Sequence, residues 1–270
     1  MELFLHQKDV WKLFVDAERW ETAEITARAH EGADPAFFFD LDEPGYFQGM
    51  IFGFRVAMDF SRPLTKKLIK EIHDAAVEPV YVRMQKKKIA LGWRKEPTWF
   101  YITEKTSTPR GIKELREKCS DERYTLPDQG NLFELMISSL PERGARLNDF
   151  SSLPVSYFRF RLVSEELITA AVDHLIEIYR EEIKNAEDQN QKIGAIARFV
   201  QNLNQAHPFF DGNIRTFGVL LLNRLLNEQG LPFCCLSNPN CLDATDVDHL
   251  VELIKEGQSR FLKILKPRQE

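Results

Sequence analysis

No stretch of this chain approaches the roughly 18 consecutive apolar residues that a membrane-spanning helix needs, so no span is predicted. The opening MELFLHQKDVWKLF lacks a basic start followed by a clean apolar run, and no secretory signal is expected. Cysteine is scarce: Cys119, Cys234, Cys235 and Cys241 are the full set, with no CxxC pair. The spacing of Cys234, Cys241 and His249 does not suit a zinc centre. Dispersed thiols of this kind suit a reducing compartment, and the expectation is cytoplasmic residence with buried free cysteines. Glycine and proline number only 13 each, which excludes collagen-like and linker-like chains. Basic excess is absent: the net charge is −5, against a dedicated nucleic-acid binder. The one basic run, Lys86 to Lys88, reads as a solvated face.

What is present is the composition of a folded domain. Apolar residues make up 43% and charged residues 29% of the 270, too apolar for a disordered chain. Phenylalanine reaches 20, which predicts a core rich in aromatic packing.

Periodicity predicts helices over about 8–29, 45–59 and from Thr65 to about 77, the last capped by Thr65. Residues 79–104 change character. VYVRM and TWFYIT are β-branched and aromatic, with a Lys- and Gly-containing stretch between them, and predict a short hairpin. Within it Trp99 and Tyr101 alternate with Phe100 and Ile102, so one pair should face the core and the other a cleft. Residues 105–160 read as irregular, punctuated by prolines, with a helix near 131–139. From Ser164 helical spacing resumes over about 165–184, 189–205 and 214–228. The run FGVLLLNRLL is apolar on nearly every side and predicts a central buried helix. A last helix should follow Thr245 to about 265.

Between two of these helices lies His207-Pro208-Phe209-Phe210-Asp211-Gly212-Asn213-Ile214-Arg215. Gly212 opens backbone conformations closed to other residues, and free N–H groups at the next helix start can bind an anion. Asp211 can hold Mg²⁺, which usually accompanies nucleotide phosphates. Arg215, one turn into the helix, can grip a phosphate with its planar fork. His207 is suited to taking a proton from a hydroxyl near neutral pH. Each residue alone has an ordinary structural explanation. Their conjunction points to phosphoryl or nucleotidyl transfer.

That conjunction resembles the Fic (Fido) domain family, whose motif is His-Pro-Phe-x-Asp/Glu-Gly-Asn-Gly/Lys-Arg. His207, Pro208, Phe209, Asp211, Gly212, Asn213 and Arg215 agree with it. The resemblance implies a mostly α fold: a Fic-type helical bundle with a short β-hairpin, the flap. The first 60 residues, which the resemblance does not reach, read from their apolar spacing as an N-terminal helical extension packed on a Fic-like catalytic domain over 61–270. The implied activity is transfer of AMP from ATP to a Ser, Thr or Tyr hydroxyl of a target protein. His207 would be the general base and Phe209 a buried anchor. Asp211 would bind Mg²⁺, and Gly212, Asn213, Ile214 and Arg215 would hold the nucleotide. No nucleic-acid partner is expected. Delivery to a host cytosol is the alternative location, if the protein is a secreted bacterial effector.

Two positions depart from the family pattern. Ile214 stands where a second glycine is usual, beside the phosphate nest. Gly218 stands where a second arginine often binds the distal phosphate. These departures motivate an alternative: another donor, such as a different nucleotide or a CDP-linked head group. A catalytically inactive binding module is a further alternative, against which the presence of His207 and Asp211 argues. The family's inhibitory pattern Ser/Thr-x-x-x-Glu-Gly/Asn is not matched at Glu31-Gly32 or Glu256-Gly257, so no inhibitory helix of that kind is expected.

Overall fold

A computed structural model describes residues 8–29, 33–139 and 156–265. The continuous helix predicted over 8–29 does not form. The segment folds as 3₁₀ turns at Val10–Leu13 and Ala17–Arg19, followed by helix α1, Trp20–Ala29. The break falls at Asp16, whose backbone is extended at ψ 131°. The next two N–H groups, of Ala17 and Glu18, donate to the Leu236 and Ser237 carbonyls at 3.0 and 3.1 Å instead of to the preceding turn. Tertiary hydrogen bonds override the local helical pattern here.

Helices α2, Tyr46–Ala57, and α3, Lys66–Val77, form as expected. Thr65 caps α3 by accepting the Leu68 N–H at 3.2 Å. The two helices pack on each other and bury Met50, Phe54, Leu68, Ile69 and Ile72.

The predicted hairpin requires correction. Strands β1, Tyr81–Val82, and β2, Lys87–Lys88, pair antiparallel as a two-residue ribbon. The TWFYIT segment is strand β3, Thr98–Ile102, and it does not pair with either. Its partner comes from the stretch read as irregular. That stretch holds helix α4, Pro109–Lys118, and a small ribbon of β4, Thr125–Leu126, with β5, Gly130–Asn131. Helix α5, Leu132–Met136, strand β6, Ile137–Ser139, and strand β7, Ser156–Phe160, complete it. The helix predicted near 131–139 is therefore shorter and gives way to β6. Strand β7 is the centre of an antiparallel sheet in the order β3-β7-β6. Thr98 lies opposite Phe160 and Ile102 opposite Ser156. A two-stranded hairpin is marginal in water, and a third strand gives β3 its stability. Ile102 is buried, while Trp99 is 54% exposed, so the strand does present one face inward and one outward. The side chains of Phe100 and Tyr101 lie outside the described ones.

From Ser164 the predicted helices form. Helix α6 spans Glu165–Asn185, capped by the Ser164 hydroxyl, and α7 spans Gln189–Ala206, capped by Asp188. A three-residue connection, 186–188, folds them back on one another. The central buried segment is present, but its first part is a π-helix, Arg215–Leu221, which passes into α8, Leu222–Glu228. Phe217, Leu220, Leu221, Leu222, Leu225 and Leu226 are all fully buried. α2, α3 and α7 pack around the π-helix. Helix α9, Val247–Leu265, covers α7. The chain is mostly α, as its periodicity predicts. Among the described residues no helix is long and apolar enough to cross a membrane.

Candidate active site

Helix α7 ends at His207, whose backbone is left-handed at φ 50°, ψ 59°. Its N–H closes the helix on the Leu203 and Asn204 carbonyls, each at 3.1 Å. A non-glycine residue in this region is strained, so something must hold it. Arg94 does. Its Nε donates to the His207 carbonyl at 2.8 Å, and its main-chain N–H donates to the Pro208 carbonyl at 2.9 Å. Nη1 of the same guanidinium reaches the Arg161 carbonyl. Arg94 is 2% exposed and was not singled out by any motif.

The His207 ring lies parallel to Phe160, with centroids 4.7 Å apart and planes at 12°. Asn213 fixes its tautomer. Asn213 Oδ1 accepts the Phe209 N–H at 3.2 Å, so its Nδ2 is the donor to the Phe209 carbonyl at 2.9 Å and to His207 Nε2 at 3.1 Å. Nε2 therefore carries the lone pair. Burial, and then the charge of Arg94, pushes the imidazole down to about 3, so it is neutral at pH 7.

Phe209 is fully buried and clamped between two flat partners. His73 stacks on it at 3.8 Å and 8°, and Trp93 at 4.9 Å and 5°. His73 ties the motif loop to α3: Nε2 meets the Asp211 carbonyl at 3.0 Å, and Nδ1 meets Asp74 Oδ1 at 3.0 Å. Burial alone would raise the Asp74 carboxyl. Hydrogen bonds from His73, Lys70 and the Gly92 N–H outweigh it and hold the group at about 2. Gly212 sits at φ +76°, and a Cβ there would come within 2.7 Å of Val77 Cγ1. Only glycine meets both conditions at once.

Asp211 is half-buried, and its Oδ1 accepts the Gly212 N–H at 2.6 Å. Asn213, Ile214 and Arg215 start the next helix, where first-turn N–H groups have no intrahelical acceptor. Arg215 is 8% exposed. Its Nη2 pairs with Glu43 at 2.7 Å, its guanidinium lies 5.0 Å from the Tyr46 ring centre, and its Nη1 is buried with no hydrogen-bond partner. The structure thus brings His207, Asp211, Gly212, Asn213, Ile214 and Arg215 onto the wall of one cavity of about 960 Å³. Thr98 and Trp99 of β3 line it, as does Lys87, whose ammonium lies 4.8 Å from the Phe210 ring centre. The basic run is exposed, as expected, and Lys87 lies at the rim of this cavity.

Residue 218 packs closely against the 3₁₀ turn Pro239–Leu242. A Cβ on Gly218 would meet Pro239 Cβ at 3.1 Å and Leu242 Cδ1 at 3.2 Å, contacts that those side chains would have to relieve.

Comparison with known families matches residues 63–226 to the Fic/DOC family. The chain belongs to the Fic/DOC family. The matched region runs from the start of α3 through the His207–Arg215 loop to α8, so the Fic/DOC match covers the clamp on Phe209 as well as the motif. Phosphocholine transferase AnkX of Legionella pneumophila is 33% identical over 107 residues. That alignment covers 40% of this Fic/DOC chain and 11% of AnkX. Sequence reasoning missed Arg94, His73 and Asp74 as supports of the Fic/DOC loop. They act on main-chain carbonyls and a ring face, which no motif records.

Proposed function

We propose that this Fic/DOC protein transfers a phosphate-linked group from a nucleotide donor to a Ser, Thr or Tyr hydroxyl of a target protein. The observation that carries the reading is a neutral His207 on the same cavity wall as the unpartnered Nη1 of Arg215 and the start of a helix. His207 Nε2 takes the hydroxyl proton as the target oxygen bonds to phosphorus. The phosphorus–oxygen bond to the rest of the donor breaks, and the nucleotide leaves as an anion. First-turn N–H groups and Arg215 face the charge that develops on the phosphoryl oxygens.

Asp211 fits Mg²⁺ by its chemistry, a hard oxygen donor beside an anion nest. Among the described residues no group of three or more His, Cys, Asp or Glu could hold a metal. Asp211 would therefore share the ion with donor phosphates and water, which is usual for Mg²⁺. The ion would neutralise phosphate charge at the reacting centre.

Phosphocholine is favoured as the transferred group over AMP. Its support is the similarity to phosphocholine transferase AnkX and the glycine at 218, which supplies no second arginine for a triphosphate tail. AMP transfer from ATP is the second reading, supported by the motif. The test uses labelled CDP-choline and labelled ATP with candidate target proteins, read by intact mass. Transfer by wild type and none by His207→Ala is the expected result. No transfer from either donor, or transfer retained by a folded His207→Ala protein, overturns the reading.

A further inference from the structure

The cavity wall carries groups of both signs. Arg215 and Lys87 line it, and so do Asp16, Asp243, Asn204 and the rings of Phe39 and Tyr46. The Arg215 guanidinium lies 5.0 Å from the Tyr46 ring centre, so cationic and aromatic groups meet there. Asp16 is placed on this wall by the break in the N-terminal segment, whose Ala17 and Glu18 N–H groups are bound to Leu236 and Ser237. Its carboxylate forms no ion pair among the described residues. Burial pushes it up to about 6, so it remains ionised at neutral pH. Asp243 is 4% exposed and accepts from the Asn204 amide at 2.9 Å. Asn204 is 1% exposed, lines the cavity, and its Oδ1 is buried without a hydrogen-bond partner. Phe39 lies 4.9 Å from Tyr46, ring centre to ring centre.

The charge of Asp16 and the partial negative charge of Asn204 Oδ1 favour a cation, and the aromatic rings beside them suit a quaternary one. The unpartnered Nη1 of Arg215, on a side chain more than nine-tenths buried, independently favours an anion in the same cavity. One ligand satisfies both: a zwitterion with a phosphate at one end and an ammonium at the other. A nucleoside triphosphate satisfies only the anion preference and places added negative charge beside Asp16 and Glu43.

We propose that Asp16, Asn204 and the Phe39–Tyr46 wall form a subsite for the quaternary ammonium of a phosphorylated amino-alcohol head group, with Arg215 on its phosphate. This rests on the transfer reading above and names its substrate class. In the step, the target oxygen–phosphorus bond forms and the bond to the nucleoside monophosphate breaks. The hydroxyl proton passes to His207, and the head group keeps its positive charge.

Binding of phosphocholine, phosphoethanolamine and AMP, each titrated calorimetrically into wild type, Asp16→Asn and Phe39→Leu, tests the subsite without requiring turnover. Phosphocholine should bind wild type, and both variants should weaken it by about tenfold, while AMP is unaffected. Thermal melts establish that the variants are folded, and Phe39→Leu keeps the test open if Asp16→Asn is not. Unchanged phosphocholine affinity in the folded variants overturns the subsite. So does binding of AMP alone, or of none of the three. Tighter phosphoethanolamine than phosphocholine binding overturns the quaternary assignment. Transfer from ATP without phosphocholine binding would sink the subsite and leave the transfer reading standing. Phosphocholine binding with no transfer from any donor would do the reverse.

Discussion

Arg94 Nε donates to the carbonyl of His207 at 2.8 Å, joining the chain before β3 to the left-handed end of α7. The bond passes through the backbone, so it fixes where the imidazole starts and leaves its nitrogens untouched. Replacing Arg94 with Lys keeps the charge and loses the fork that spans the His207 and Arg161 carbonyls. Arg94→Lys should lower kcat by about tenfold with little change in the donor KM, and cost about 1–3 kcal/mol of stability. Steady-state kinetics and denaturant titration read both. An unaltered kcat in the folded variant would show that Arg94 does not position the base.

His207→Ala should reduce transfer by on the order of 10² to 10⁴. The side chain is 8% exposed and stacked on Phe160, so this substitution also removes packing. Single-turnover rates from the folded variant are the measurement, and a rate within threefold of wild type would be incompatible with the proposed role.

The depressed imidazole of His207 has a consequence for stability. Its value is about 3 in the folded chain against 6.5 for the free group. Above pH 6.5 neither state binds the proton. Below it the unfolded chain takes up the proton and the folded chain does not, so stability falls as pH drops from 6.5 towards 3. At pH 5 the loss is about 2 kcal/mol by linkage. Wild type should therefore lose about that much more than His207→Ala between pH 7.5 and pH 5 in urea titrations. Parallel losses would contradict a neutral buried ring.

Asp211→Asn keeps an oxygen to accept the Gly212 N–H and removes the negative charge. It should move the Mg²⁺ midpoint for transfer upward by tenfold or more while the Tm stays within a few degrees. Superposable Mg²⁺ titrations of the two proteins would remove Asp211 from the metal.

Much of the candidate site was legible because it is local. The His207–Arg215 residues are contiguous, a loop and the first helical residues after it, and Ser164 and Thr65 announce their helices by capping chemistry. Helix α4 was legible too: Thr108 accepts the Gly111 N–H at 3.0 Å and Pro109 takes the first helical position. Reading Pro109 only as a breaker concealed it. The pairing of β3 was not legible, since Thr98 meets Phe160 across the whole intervening chain and nothing near either residue names the other. Asp16 was hidden for a further reason. The periodicity around it is helical, and only bonds to Leu236 and Ser237 turn it into the cavity wall.

The π-helix Arg215–Leu221 sits between the motif loop and the buried leucines of α8. A wide turn of this kind carries an extra residue relative to the α-helical course on either side. Each residue advances an α-helix by about 100°, so the surplus sets the angular phase between its two ends. One end can aim Arg215 at the cavity while the other seats Leu222, Leu225 and Leu226 in the core. A single-residue deletion here would let the helix relax to regular geometry and swing one end out of alignment. The protein's reacting face and its hydrophobic anchor are thus held in step by a one-residue surplus, and changes of chain length in this segment are more consequential than changes of side chain.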